Sequence, residues 1–194
     1  MSDGSYGGAA ERLMGMSDGT WERHANPWSV WTRIPILPLL ALAAFSRAWI
    51  GWWCLVPLAA LVVWAWANPR AFPPPARLDS WSARGVMGER VWLARKQRPI
   101  PFQHARAANV LTAIAAGGLI PLAYGLVALD GWATIAGTAV AMLGKLWFVD
   151  RMVWLYDETA RERPEALGAL GITPPPRPSP PPASHAPPLA ARPG

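Results

Sequence analysis

Two histidines and one lysine are the side chains in this sequence whose chemistry and position could carry a function. His24 precedes the first apolar segment and His104 precedes the third. Two imidazoles can bind haem iron or a metal ion. Cofactor sites in helical bundles are built from side chains that face the core, however, and neither histidine lies inside an apolar segment. We therefore predict no cofactor and no metal, and keep His24 and His104 as the ligands of an alternative haem- or metal-binding subunit.

Lys145 is the third candidate, because it lies in the last turns of the fourth apolar segment. A charge at the centre of a bilayer costs at least about 2.5 kcal/mol, so such residues usually serve a function. Lys145 is only about one helical turn from the end of its segment, and its ammonium group can extend to the headgroups or pair with Asp150. We favour the extended side chain. The alternative is a transport subunit that uses Lys145.

Catalytic patterns are missing from the sequence, which contains no GxSxG, P-loop, HExxH or acidic cluster. The single cysteine, Cys54, excludes an internal disulfide and any metal site built from paired cysteines. We predict that the protein is not an enzyme. A lipid-modifying acyl- or phosphoryl-transfer enzyme is the least favoured of the alternatives.

The composition indicates a membrane protein. Apolar residues make up 52% of the chain and charged residues 15%, against about 25% charged in soluble domains. Four apolar segments cover residues 28–45, 49–67, 107–129 and 132–149, and each is 18 to 23 residues long. At 1.5 Å per residue they would span about 27–35 Å, which matches a hydrocarbon core of about 30 Å.

Polar breaks join these segments in pairs, at residues 46–48 and at Asp130-Gly131, and predict two helical hairpins. Segment 28–45 could also be a re-entrant or interfacial helix, because its uninterrupted apolar part is short. The loop 68–106 contains eight basic residues, which places this loop and both termini in the cytoplasm. The abundance of Ala, Arg and Pro indicates a bacterial source, so we expect the bacterial inner membrane.

The loop itself predicts a short basic amphipathic helix at the membrane surface. Helical spacing puts Trp81, Gly85, Gly88 and Trp92 on one face. The residues expected to contact anionic lipids are Arg84, Arg90, Arg95, Lys96 and Arg98. Nucleic-acid binding is not predicted, because the flanking segments and tryptophans are typical of a bilayer partner.

Aromatic residues mark the predicted membrane boundaries. In "HANPWSVWTR", residues 24–33, the Asn-Pro pair breaks the backbone before a helix, and Trp28 and Trp31 share one helical face. Tryptophan prefers the interface because its ring is apolar and its indole N–H needs a partner. The predicted interface anchors are Trp28, Trp31, Arg33, Trp147 and Trp154.

Small residues at four-residue spacing predict that the third and fourth segments pack face to face. The third segment offers Ala113, Gly117, Pro121 and Gly125, and the fourth offers Ala133, Gly137 and Ala141. The main packing positions are therefore Gly117, Gly125, Gly137 and Ala141. A membrane-protein partner or a homo-oligomer could use the same kind of contact.

Both ends of the chain are expected to be disordered. Residues 1–20 form a polar leader in which "MSDG" occurs twice, so the true start codon could be Met1 or Met16. Residues 159–194 form a proline-rich tail that is typical of solvated polyproline II chain. The membrane domain is therefore predicted at residues 21–158.

Four motifs resemble a known family: "HANPWSVWTR", "NPRAFPPP", "GERVWLARKQRPIP" and "MLGKLWFVDRMVWLYDE". They are similar to a family of small prokaryotic multi-pass membrane proteins defined as a domain of unknown function, over about residues 21–158. The resemblance implies a membrane location, but no activity, cofactor or ligand.

Together these patterns predict an all-α integral membrane protein with four transmembrane helices in two hairpins, a short interfacial amphipathic helix and disordered tails. The predicted function is that of a non-enzymatic membrane component, which acts through helix packing or through contact with anionic lipids or proteins.

Overall fold

The computed structural model describes residues 18–173, and this part of the chain is all-helical, with no β-strand. The helices are α1 (Asp18–His24), α2 (Pro27–Arg33), α3 (Ile36–Phe45), α4 (Arg47–Ile50), α5 (Leu55–Ala71), α6 (Trp81–Leu93), α7 (Phe102–Ala128), α8 (Gly131–Glu162) and α9 (Pro164–Gly168), with 3₁₀ turns at Gly51–Cys54 and Ala94–Lys96. Most of the predicted leader, with both candidate start codons, lies outside the described residues.

Three helical stretches are long and apolar enough to cross a membrane: Pro27–Ala71, Phe102–Ala128 and Gly131–Glu162. The sequence predicts four segments, and the first two of these fall within the single stretch Pro27–Ala71. A straight rod of its 45 residues would be about 67 Å long, more than twice the thickness of a hydrocarbon core. The stretch is not straight, however.

The chain turns back within Pro27–Ala71. Gly51 has φ +56° and ψ −136°, a backbone conformation that side chains with a Cβ rarely adopt, and it ends α4. Beyond it, α5 returns along α2 and α3, and Ser29 bonds to Asn68, 39 residues further along the chain. The regular helix therefore begins at Leu55 and not near residue 49, because the turn occupies residues 51–54.

A second reversal joins α7 to α8. Leu129 ends α7 in the left-handed conformation with φ 56°, and the carboxylate of Asp130 caps α8 by accepting a hydrogen bond from the Ala133 N–H at 3.1 Å. Arg47 donates to the carbonyl oxygens of Leu126 and Val127 at 2.6 and 2.8 Å. These bonds tie the two reversals together at one end of the molecule.

Small residues bring the backbones of α7 and α8 into direct contact. The contact face of α7 carries Ala108, Leu111, Ala115, Gly118, Leu122 and Gly125, and that of α8 carries Thr134, Gly137, Ala141, Gly144 and Phe148. The positions alternate by three and four residues, an average repeat of 3.5 that keeps a stripe facing its partner along a left-handed crossing.

The predicted packing residues fit this face only in part. Gly125, Gly137 and Ala141 lie in the contact, whereas Gly117 is exposed and a Cβ added there would meet nothing within 4 Å. A strict four-residue step rotates by about 400°, so three such steps carry a stripe about 120° around the helix. For this reason Gly118, and not the adjacent Gly117, lies in the contact with α8.

A hydrophobic core combines residues from the ends of the apolar stretches with residues from the segments outside them. We call it the helical cap; it is formed by α1, α6, residues 148–162 of α8, and α9. Its fully buried side chains include Met87, Met152, Leu155, Tyr156 and Leu167. Gly88 of α6 lies against the backbone of Met152, and a Cβ added at Gly85 would lie 2.7 Å from Val149 Cγ1.

Two predictions are corrected by the cap. The helix in the loop, α6, does not lie free along the membrane surface, because its face with Gly85 and Gly88 packs against α8. The predicted tail boundary at residue 159 falls inside α8, which continues to Glu162, and Leu167 and Ile172 are buried beyond it. The spacing of apolar residues between positions 159 and 172 indicates this extension. The high proline content of the residues that follow obscured this pattern. Residues 174–194 lie outside the described part of the chain.

Replacing Gly118 by Ala tests the contact between α7 and α8. The new Cβ would lie 2.5 Å from the backbone nitrogen of Ala141, so the helices must separate, and we expect a loss of about 1–3 kcal/mol in the free energy of unfolding. Gly117→Ala is the matched control; it should be neutral or slightly stabilising, because alanine favours helix and has room there. Thermal unfolding in mild detergent measures both. Equal effects of the two variants would contradict the assigned face.

Candidate functional site

The motif "HANPWSVWTR" folds into a polar joint between α1, α2 and α5. Asn26 caps α2: its side-chain oxygen accepts from the Trp28 N–H at 2.9 Å, and its amide donates to the carbonyl oxygen of Pro73 at 2.9 Å. Pro27 occupies the first turn, where no backbone donor is needed. The start of α2 is therefore bound to the chain that follows α5.

Asn68 is the centre of this joint. Its side chain is fully buried; its oxygen accepts from Ser29 Oγ at 2.8 Å, and its amide donates to Thr32 Oγ1 at 2.7 Å. A buried amide without such partners would be costly, so these two bonds fix the register of α5 against α2. Ser29 and Thr32 of the motif thus bind Asn68, which lies 36 to 39 positions further along the sequence.

Arg33 turns toward α1 and not toward the headgroups. Its Nε donates to the Ser29 carbonyl at 2.9 Å, and its Nη1 lies 2.6 Å from Nδ1 of His24 and also contacts Nε2. A guanidinium can only donate, so the imidazole must accept and be neutral. Burial, with the nearby cations Arg33 and Lys145, lowers the pKa of His24 from 6.5 to about 3. The prediction that Arg33 extends outward is therefore not what the structure shows.

Two further charges complete a polar cluster, which we define as His24, Arg33, Glu89 and Lys145. Glu89 of α6 accepts from Lys145 Nζ at 3.2 Å and also interacts electrostatically with Arg33. The ammonium of Lys145 lies 4.7 Å from the ring centre of Phe148. Lys145 therefore pairs with Glu89 and not with Asp150, whose carboxylate accepts from the indole of Trp81 at 3.2 Å. The cluster joins α1, α2, α6 and α8.

His104 belongs to a different contact. It is buried on α7, and its Nε2 lies 2.8 Å from Oε2 of Glu158 on α8. The two histidines have no common partner, since His24 contacts Arg33. In the described part of the chain, no three His, Cys, Asp or Glu side chains come together in a way that could hold a metal ion. These polar pairs connect one helix to another.

The basic residues of the loop are largely engaged within the chain. Arg84 bonds to Asp157 at 3.0 Å, Arg98 donates to the carbonyl of Ala166 at 3.1 Å, and Arg95 stacks on Trp92 at 3.8 Å. Arg90 is half-buried, whereas Lys96 is exposed. Contact with anionic lipids through this loop stays a prediction, and Lys96 is the exposed residue among the five predicted for it.

The predicted aromatic anchors lie on the outside of the helices. Trp28, Trp31, Trp147 and Trp154 are exposed by 56–69% of their surface. A second group of exposed tryptophans lies around the two chain reversals: Trp49, Trp52, Trp53 and Trp132. Exposed tryptophans near both ends of the apolar helices are typical of a chain that crosses a bilayer.

The family model of the family of unknown function DUF6653 matches residues 9–174. The chain belongs to this family. The resemblance found in the sequence is thereby confirmed, and the match extends beyond residues 21–158 at both ends. No curated protein and no solved structure matches the chain. The chain thus combines membership of a family of unknown function with three helical stretches that are long and apolar enough to cross a membrane.

Sequence reasoning missed four residues that hold the joints together: Asn68, Glu89, Glu158 and Arg47. Asn68-Pro69 repeats the dipeptide Asn26-Pro27, and this repetition was the available sequence signal for Asn68. Glu89 is one of only two acidic residues in the basic loop, an isolation that could have indicated a buried pair. Nothing in the sequence indicates the partners of Glu158 and Arg47.

Replacing Asn68 by Ala tests the joint. The change leaves the Ser29 hydroxyl without its acceptor, and we expect the free energy of unfolding to fall by about 1–3 kcal/mol. In a cycle with Ser29→Ala, the double variant should lose less than the two single losses added together, because both break the same bond. Additive losses, measured by thermal unfolding in detergent, would show that the bond does not couple the helices.

The pH dependence of stability tests the neutral state of His24. The unfolded chain binds this proton near pH 6.5 and the folded chain only near 3. The stability that neutral His24 contributes is therefore complete above pH 6.5 and is lost as the pH falls toward 3. The thermal midpoint should drop between about pH 7.5 and about pH 5, and His24→Gln should reduce this drop. An unchanged drop in the variant would show that other groups cause it.

Proposed function

We propose that this protein crosses the bacterial inner membrane four times, as two hairpins, with both termini and the 68–106 loop in the cytoplasm. The helical cap supports this topology, because α1, which precedes the apolar stretch Pro27–Ala71, packs with α6, which follows it. Both ends of that stretch then lie on one side of the membrane. The His104–Glu158 bond likewise brings the two ends of the α7–α8 pair together.

Thiol labelling tests this topology. In a Cys54→Ala background, Ala48→Cys marks the first reversal and Gln97→Cys marks the basic loop; both positions are exposed. We expect a membrane-impermeant maleimide to label residue 48 in spheroplasts and residue 97 only after the membrane is opened, because the basic loop is cytoplasmic. Labelling of both positions in intact spheroplasts would place them on the same side of the membrane and contradict a crossing by α5.

We propose further that the protein acts without catalysis, as a component that binds another membrane protein through Pro27–Ala71. The observation that carries this proposal is the uneven burial of the helices. Only 6% of the most apolar window of Pro27–Ala71 is buried within the chain, against 28% for Gly131–Glu162. The charged and polar side chains at the end of Pro27–Ala71 meanwhile form hydrogen bonds and electrostatic contacts within the chain, in the joint around Asn68 and in the polar cluster. The large apolar side chains of α5 are thus left for a helix of a partner.

The exposed face of α5 combines large and small groups. Val56, Val62, Val63 and Trp66 are each exposed by at least 59%. Between them lie Ala59 and Ala60, which are also exposed and permit close approach of another helix. The proposed partner is therefore an apolar transmembrane helix, and a second copy of this chain is one form that it could take.

A photo-crosslinking residue at Val63 tests this proposal, with Ala41 as the buried control, since their exposures are 62% and 5%. In native membranes we expect Val63 to give a discrete protein adduct and Ala41 to give none. Adducts with lipid alone would contradict the partner. Stoichiometric haem or metal in the purified protein would favour the cofactor-binding alternative instead.

A further inference from the structure

A groove of about 490 Å³ runs between α7 and α8, on the side where both helices enter the cap. Its polar end is lined by Gln103, Arg106 and Arg151, and its apolar end by Val110, Ile114 and Trp147. The groove is separate from the polar cluster and from the proposed partner face of α5. Neither of these explains its two arginines.

Neither arginine has a carboxylate partner within residues 18–173. Within residues 18–173, the side chain of Arg106 forms no hydrogen bond or ion pair, and that of Arg151 makes only a cation–π contact, 5.2 Å from the ring centre of Trp154. Arg84, in contrast, is paired with Asp157. Arg106 is exposed and Arg151 half-buried, so both guanidinium groups can reach a ligand in the groove.

Polarity changes along the groove in the direction of the membrane. Arg106 directly precedes the apolar run of α7, and Arg151 closely follows that of α8. From Arg106, Val110 and Ile114 lie about one and two turns deeper, or about 6 and 12 Å along the helix axis. Trp147 lies one turn deeper than Arg151. The arginines would therefore be at the level of the headgroups and the apolar residues at the level of the acyl chains.

We propose that this groove binds one anionic phospholipid. The phosphate diester lies between Arg106 and Arg151, whose planar guanidinium groups can each donate two hydrogen bonds to phosphate oxygens. The Gln103 amide donates to the same headgroup. One acyl chain lies along Val110, Ile114 and Trp147. A lipid without net charge would bring its own cation next to the two arginines, so the groove selects anionic headgroups.

The membrane position favours a lipid over free phosphate as the source of this group. Inorganic phosphate would satisfy the arginines but leave the apolar half of the groove unused. A phospholipid occupies both halves, and the bilayer supplies it at high local concentration. The inference requires only that α7 and α8 enter a bilayer; it does not depend on a protein partner for α5.

Native mass spectrometry of the full chain in detergent tests the proposal, with phosphatidylglycerol and phosphatidylcholine of identical acyl chains as probes. We expect phosphatidylglycerol to bind in a 1:1 complex at least tenfold more tightly than phosphatidylcholine. Arg106→Gln together with Arg151→Gln should weaken its binding by roughly tenfold or more, because two charge-assisted contacts are lost. Equal binding of the two lipids, or no effect of the double variant, would overturn the proposal.

Matched variants separate the groove from general charge. Arg23→Gln with Arg161→Gln removes two exposed cations elsewhere and should leave binding unchanged; an equal loss in this control would show nonspecific attraction and overturn the site. Ile114→Trp fills the apolar half and should also weaken binding. If it does not, while inorganic phosphate displaces the lipid completely, the ligand is a free phosphate.

Two further readouts keep the test independent of folding and of oligomerisation. Arg106→Gln alone changes an exposed side chain and should lower phosphatidylglycerol binding severalfold with no shift in the thermal midpoint. If Ile114→Trp instead converts a dimer into a monomer, the groove is occupied by a second copy, and the lipid assignment is overturned.

Discussion

The close contact of α7 and α8 is the interaction on which the rest of the molecule depends. Glycine and alanine at alternating spacings of three and four residues let the two backbones touch, which larger side chains would prevent. The helix α8 has 32 residues and is about 48 Å long, so it extends well beyond a hydrocarbon core of about 30 Å. Its protruding end supplies the surface on which the cap is built.

The cap converts this extension into a folded unit. Its interior is apolar, with Met87 of α6 and Met152 and Leu155 of α8 fully buried. Around it, charged side chains pair across helices, as in Arg84 with Asp157 and Lys145 with Glu89. Pairs of this kind contribute little stability where they are exposed, but they specify which helices meet. They therefore act as positioning contacts between the helices of the cap.

The two helical pairs differ in how they are held. The α7–α8 pair is joined along its length by small residues, whereas the hydrogen bonds that join the first pair, those of Asn68 with Ser29 and Thr32, lie at one end. The rest of α5 has few contacts within the chain and exposes large apolar side chains. This asymmetry underlies the assignment of a partner to α5 and of a lipid to the groove beside α7.

The sequence by itself determined that the chain is helical, that it has apolar stretches of membrane length, and that it belongs to a recognisable family, because these follow from local composition, spacing and motifs. It also placed Gly125, Gly137 and Ala141 near the contact, since small residues are visible in the sequence. It could not choose Gly118 over Gly117, because one position around a helix depends on how its partner crosses. Nor could it pair Lys145 with Glu89, which lies 56 positions away, or Arg33 with His24, which belongs to the preceding helix. Only the packing of α6 against α8 and of α1 against α2 brings these side chains together.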